Sequence, residues 1–175
     1  DIEQAILTKL KAEPFKYDIL ICDASPDKRD VLPDGTGRNS KKECILPDVM
    51  LTSLKRINPA IEEDKIKEIV KTLRQDYTGT DIVDTNYKLY RQIRNNIKIT
   101  VRRNGKEDFD FVKLIDFEHP ENNTFTAVSQ MWIQGKVYYR RPDILIFVNG
   151  MPLVFIELKN SIVKVEEAYN KNLKD

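Results

Sequence analysis

Asp143, Glu157 and Lys159 bring two carboxylates and an ammonium to the open ends of two apolar runs, 144–148 and 153–156, which meet at the turn pair Asn149-Gly150. Apolar runs joined by Asn-Gly predict a β-hairpin. Period-two geometry then puts Glu157 and Lys159 on one face and Leu158 on the other. If Asp143 shares the acidic face, the carboxylates need a partner, because buried unpaired charge is costly. A divalent cation is a good one: hard oxygen ligands suit Mg²⁺, while the neighbouring lysine faces an anionic substrate. Chemistry on an anionic substrate calls for positive charge beside the attacked atom, and two carboxylates supply it only by recruiting a cation. Pro-Asp and Glu-x-Lys alone also describe a solvated salt-bridge cluster, since short motifs match often by chance. The continuous apolar runs, expected of strands buried on both faces, favour the metal reading.

The hairpin carries a geometric demand. A strict two-residue turn at Asn149-Gly150 pairs Val148 with Met151 and sets Asp143 opposite Ile156, which turns Asp143 and Glu157 to opposite faces. Convergence requires one extra residue, either a three-residue loop of Asn149, Gly150 and Met151 or a bulge on one strand. Pro152 favours such an irregularity, because it lacks the N–H of a regular ladder. Asp143 is therefore predicted across from Glu157, with Gly150 at positive φ.

The elements that would hold this hairpin follow from periodicity. Ile2, Ala5, Ile6, Lys9 and Leu10 fall at helical spacing, so 2–12 reads as an amphipathic helix ended near Pro14. Residues 17–22 read as a strand. Residues 23–47 collect prolines, glycines and charges and read as a long loop, whose mixed charges suit docking and whose excision should spare the fold. A short helix is expected over 49–57. Asn58-Pro59 suggests the cap of a second, with Ile66, Ile69, Val70 and Leu73 as its buried stripe. A third helix is placed over 86–94, a hairpin about Asn104-Gly105, and a further strand pair about Gly135. Helices first and strands later give an α/β fold with a mixed central sheet.

At 175 residues and 41% hydrophobic, the chain suits a single domain over 1–175. Asp1 stands within an apparent helix, and 165–175 stops inside a helical pattern, so the chain reads as a piece of a longer polypeptide. With 29 Lys and Arg against 28 Asp and Glu it is no polycation, and nucleic-acid binding must come from local clustering. Cys22 and Cys44 have no metal-ligand spacing and read as free thiols of a reducing cytosol. No apolar stretch is long enough for a membrane span. No Gly-rich nucleotide fingerprint is present, so an ATP motor would lie outside these residues.

Residues 141–160, RPDILIFVNGMPLVFIELKN, match the PD-(D/E)xK nuclease signature and closely resemble the N-terminal endonuclease domain of the restriction (R) subunit of type I restriction-modification enzymes. The likeness extends upstream through 112–130, with Leu114-Ile115-Asp116, Asn122-Asn123-Thr124-Phe125 and a closing Gln130. It is loose over 1–86. The resemblance implies a restriction-endonuclease-like core in which Asp143, Glu157 and the carbonyl of Leu158 bind Mg²⁺, with Mn²⁺ able to substitute. Lys159 would orient or activate the attacking water. Glu3 would supply a further carboxylate from the early helix, although an exposed helix Glu is the commoner fate. It also implies double-stranded DNA as substrate, specificity and methylation subunits as partners, a cytoplasmic location, and ATP used only by a motor elsewhere in the full-length protein. A Gln-x-x-x-Tyr element of the family would fall near Lys171 or Asn172, where the Gln is missing.

Two basic regions are candidates for DNA contact. Residues 88–106 hold Lys88, Arg91, Arg94, Lys98, Arg102, Arg103 and Lys106 without one acid, a local excess suited to phosphates that is elsewhere just a solvated face. Arg140 and Arg141 adjoin the proposed catalytic residues. Trp132, Tyr87 and Tyr90 are expected in the core. The competing readings are a nuclease-fold module that binds DNA or docks without cutting, and a structure-specific or repair nuclease with the same chemistry.

Overall fold

The computed structural model describes residues 2–75 and 80–158. In chain order they form α1 (Ile2–Lys11), β1 (Asp18–Ile21), α2 (Pro47–Ile57), α3 (Glu63–Leu73), α4 (Ile82–Asn95), β2 (Ile97–Arg103), β3 (Lys106–Val112), β4 (Phe125–Ser129), β5 (Ile133–Gln134), β6 (Tyr139–Arg140), β7 (Ile144–Val148) and β8 (Met151–Ile156). The central sheet runs β1-β4-β7-β8. β1 lies parallel to β4, while β4–β7 and β7–β8 are antiparallel. This is the mixed α/β core expected from the sequence.

Alternation along the strands divides the core between two layers. Ala127 and Ile144 face α1 and bury Leu7, with Ile6 and Leu10 alongside. Val128, Leu145 and Phe147 face the other way, onto Leu46, Cys22 and Met131. Met151, paired with Val148 next to the turn, belongs to a larger cluster with Met50 and Leu54 of α2 and the stripe Ile66, Ile69, Val70 and Leu73 of α3. Each such side chain contributes about 1.5–3 kcal/mol when fully buried.

Several boundaries differ from the sequence reading. Asn58 does not cap α3, which begins at Glu63. Its amide instead donates to Leu54 O and Lys113 O, both at 2.9 Å, and accepts from Lys113 N at 2.8 Å. Two of these hydrogen bonds tie the end of α2 to the segment after β3, and the three together outweigh one N-cap worth about 1 kcal/mol. α4 starts four residues before the expected Asn86, because Asp81 caps it by accepting from Asp84 N at 2.8 Å. It buries no residue, and Tyr87 and Tyr90, expected in the core, are exposed. Among the described residues β8 is an edge strand, and its Leu153, Val154 and Phe155 are exposed, not buried on both faces.

The stretch after β1 is no detachable loop. Asp34, Arg38 and Lys41 form a network with Arg38 and Asp34 2.7 Å apart and Lys41 and Asp34 2.6 Å apart, the Arg38 side chain fully enclosed. Arg38 also donates to Trp132 O at 3.0 Å and to Glu43 O at 3.1 Å. Lys41 O accepts from Gln134 N, and Leu46 N donates to Gly150 O, both at 2.9 Å. The expectation that excision would spare the fold is overturned, because this stretch supplies Ile45 and Leu46 to the core and props up the β4–β5 connection. Burial, with the Asp34 carboxylate next in importance, pushes the Cys22 thiol up to about 11, so it is a packing group and not a nucleophile.

Candidate active site

The hairpin turn is held by side-chain amides. Asn149 at φ +50 and Gly150 at φ +80 form the two-residue connection, and Val148 pairs with Met151. Asn149 is fully buried. Its amide donates to Leu114 O at 2.9 Å and Asn123 Oδ1 at 2.8 Å, and accepts from Thr124 N at 2.8 Å. Asn123 in turn donates to Asp116 O at 2.8 Å and accepts from Asp116 N at 2.9 Å. A Cβ on Gly150 would stand 2.5 Å from Leu46 O and 2.8 Å from Met50 N, so only glycine lets the turn seat on the start of α2. Within the 112–130 segment, Leu114, Asp116, Asn123 and Thr124 therefore form a clasp for the hairpin turn.

The register then meets the demand made by the acids. Phe147 pairs with Pro152 but Ile146 with Val154, which leaves Leu153 as the extra residue of a bulge. Ile144 consequently faces Ile156, and the next position in register brings Asp143 across from Glu157. The turn is the strict two-residue one, and the bulge beside Pro152 supplies the missing step. Without Leu153 the two carboxylates would lie on opposite faces.

Glu3, Gln130 and Asp143 come together at the same end of the sheet. Gln130 Nε2 lies 2.8 Å from Glu3 Oε2 and 3.4 Å from Asp143 Oδ1, and Ser129 Oγ donates to Glu3 Oε1. Asp143 Oδ2 accepts from Leu158 N at 2.6 Å, and Asp143 O accepts from Gln130 N at 3.0 Å. Gln130 reaches this position by taking φ +58 where β4 stops. For a non-glycine residue that conformation costs on the order of 1–3 kcal/mol, and it persists only where surroundings impose it. Here its backbone is pinned to Asp143 and its amide lies between two acids. Sequence reasoning noted Gln130 only as the end of a motif and missed Ser129; the signal was the polar Ser-Gln pair that interrupts an apolar strand. Lys159, Lys171 and Asn172 lie outside the described residues.

The oxygen-only donors Glu3, Asp143, Glu157 and the Leu158 carbonyl have the chemistry of a Mg²⁺ or Mn²⁺ site and not of a zinc site. Among the described residues, no three or more His, Cys, Asp or Glu side chains stand close enough together to hold a metal. Asp143 instead has one oxygen on a backbone N–H and the other toward the Gln130 amide, two positive dipoles where a cation would stand. We expect Gln130→Leu to slow any cleavage by about 10–100-fold, the usual effect of removing a group that orients ligands, and to lower the affinity for Mn²⁺ in a calorimetric titration. Unchanged affinity and rate would make the glutamine a strand terminator only.

The basic candidates separate into two sets. Lys88 pairs with Asp84 at 2.6 Å, and Arg103 pairs with Asp108 at 2.6 Å and Asp110 at 2.7 Å, so their charge is balanced locally. Arg91 lies over Tyr87, Arg94 over Phe117 and Lys98 over Phe109, the last at 3.6 Å from the ring centre. Arg102 is exposed on β2. Arg140 stacks on Tyr138, and Arg141 lies over Trp132 while donating to Ala24 O. Trp132 is half-buried, its buried indole N–H without an acceptor among the described residues.

No helix among the described residues is long and apolar enough to cross a membrane. The family described as type I restriction enzyme R protein N terminus matches residues 1–175. The type I restriction enzyme HindI endonuclease subunit of Haemophilus influenzae is 31% identical over 93% of this chain and 15% of its own length. A Methanocaldococcus jannaschii relative is 29% identical over 97% of the chain and 16% of its own length. The type I restriction enzyme SsaAORF53P endonuclease subunit of Staphylococcus saprophyticus is 31% identical over 42% of the chain and 8% of its own length. The chain thus spans about one-sixth of the length of the first two of these relatives. An acidic hairpin end clasped by Asn123 and Asn149, and a family match that runs from the first residue to the last, lead to one conclusion: the chain belongs to the family of type I restriction enzyme R protein N termini.

Proposed function

We propose that this chain is the Mg²⁺-dependent endonuclease domain of a cytoplasmic type I restriction subunit, which hydrolyses DNA phosphodiester bonds beside an ATP-driven motor and partner subunits for specificity and methylation. The observation that carries this reading is the Leu153 bulge, which restores Asp143 and Glu157 to one register position. A strand whose only task was packing would have no use for that extra residue. In this reading Asp143 and Glu157 hold the metal with the Leu158 carbonyl, and Gln130 keeps Glu3 and Asp143 at a fixed separation. The metal, when bound, supplies positive charge at the scissile phosphate. Lys159 stabilises the charge that develops there, and Arg140 and Arg141 bind the flanking backbone. Crystals of the complete subunit grown with Mn²⁺ test this. A metal peak between Asp143 and Glu157 is expected, and a peak elsewhere or none would remove the reading.

A second reading, a DNA-binding or docking module that no longer cuts, is favoured by the lack of a ready metal cluster among the described residues. It keeps DNA contact and loses the Mn²⁺ peak.

Duplex contact has its own test. Arg91, Arg94 and Lys98 have no acidic partner within ion-pair distance among the described residues, so they are the bases best able to meet phosphates. Changing all three to Glu should weaken duplex binding across all sequences and lower the salt slope by about 0.9 for each phosphate left without its cation. A slope equal to wild type would return the segment to solvated surface.

A further inference from the structure

We propose that the outward face of the β2–β3 hairpin is a stacking platform for single-stranded DNA, an inference that rests on the reading that this chain works on DNA. The turn Asn104-Gly105, at φ +54 and +77, closes the hairpin so that Thr100 pairs with Phe109, Lys98 with Phe111 and Arg102 with Glu107. These six residues share one face. The other face carries Ile97 and Ile99, which pack on the core, together with Asp108 and Asp110, which hold Arg103. Among the described residues the hairpin is therefore anchored by one side, and the other is left unused by the fold.

On that unused side the rings are far more exposed than packing requires. Phe109 is 48% and Phe111 57% exposed. Phe117, 53% exposed, lies under Arg94 of α4. Side chains two apart on a strand stand about 7 Å from each other, so Phe109 and Phe111 offer two separate ring faces along a line. Lys98 sits over the Phe109 ring, and Arg102 continues the same line of bases with Glu107 as the one acid of the face. Aromatic rings interleaved with cations suit a strand whose bases are unpaired: bases stack on the rings while phosphates meet the ammonium and guanidinium groups. A duplex cannot use the rings, because its bases already stack on one another. A base that covers Phe109 displaces the Lys98 ammonium to the adjacent phosphate, so one residue serves both states.

The test uses the complete subunit in chelator, so that cutting plays no part, with a labelled oligothymidylate single strand and a duplex of the same length followed by anisotropy. Phe109→Ala with Phe111→Ala should weaken single-strand binding by about tenfold or more and duplex binding by less than about twofold. Tyr at both positions should restore binding. Leu at both should not, since it keeps apolar area and loses the ring. Equal losses on both DNAs, or none on the single strand, would overturn the proposal. So would full binding by the Leu variant, which would mark the face as a docking surface for an apolar protein segment. Failure of the nuclease reading is seen elsewhere, as unchanged cleavage by Asp143→Ala, and leaves this binding assay unaffected.

Discussion

Asp143→Ala is expected to lower DNA cleavage by the complete enzyme by about a hundred- to a thousandfold, the scale on which loss of one preorganised electrostatic group acts, while ATP hydrolysis by the motor proposed above continues. The side chain would be lost as the metal ligand proposed above, and also as the acceptor of Leu158 N and as a neighbour of the Gln130 amide. The alanine variant therefore also loosens the end of β8, and a fall in cleavage alone would not separate charge from structure. Asp143→Asn does. It keeps the shape and an oxygen for Leu158 N but removes the negative charge, so cleavage and Mn²⁺ binding should fall as in alanine while the melting temperature stays close to wild type. Glu157→Ala should match it in cleavage. Lys159→Ala should also abolish cleavage but retain more metal binding, because an ammonium cannot ligate Mg²⁺. Wild-type cutting by Asp143→Asn would mean that the carboxylate is structural.

The sequence made the acidic hairpin legible because its parts are local. Asn149-Gly150 names a turn by itself, and counting along the strands reveals that a two-residue turn misplaces Asp143. That counting demands a bulge, and Leu153 next to Pro152 meets the demand. The α3 stripe was equally legible, since Ile66, Ile69, Val70 and Leu73 repeat with helical period. What stayed hidden depends on partners distant in the chain. Asn58 looked like a cap because its neighbour is Pro59, yet its amide is claimed by Lys113, 55 positions away. The polar Ser129-Gln130 pair marks the end of an apolar strand, but not that Gln130 takes φ +58 there to reach Glu3, 127 positions away. The 88–106 segment looked uniformly basic, because the acids that balance Lys88 and Arg103 lie just outside it, at Asp84, Asp108 and Asp110. Tyr87 and Tyr90 read as core aromatics, although α4 buries no residue at all.

The stretch 23–47 misled for a related reason, and it gives the largest expected stability effect. Prolines, glycines and mixed charges describe a surface loop, but two of those charges are enclosed. Arg38 and Lys41 expose 0% and 5% of their side chains, and Asp34 exposes 10%. Burial by itself would raise the Asp34 carboxyl, but hydrogen bonds from Lys41 and Thr36 and the charge of Arg38 outweigh it and hold the group well below the usual carboxylate range. Asp34→Ala leaves two cations enclosed without their shared anion, and removing one partner of a buried ion pair costs about 3–5 kcal/mol. The loss should reach the site, because the same guanidinium holds Trp132 O two residues beyond Gln130. Replacing Asp34, Arg38 and Lys41 together by Leu, Met and Met should cost less than the single change, since no charge is then stranded. The pH dependence has a fixed sign. With the folded-state value below the unfolded value of about 4, the contribution of Asp34 is complete above that pH and fades as pH falls toward the folded value. Urea midpoints of wild type and Asp34→Asn should therefore lie far apart at neutral pH and draw together in acid. An Asp34→Ala protein within about 1 kcal/mol of wild type at neutral pH would mean that Arg38 and Lys41 find water on opening, and that the stretch is a loop after all.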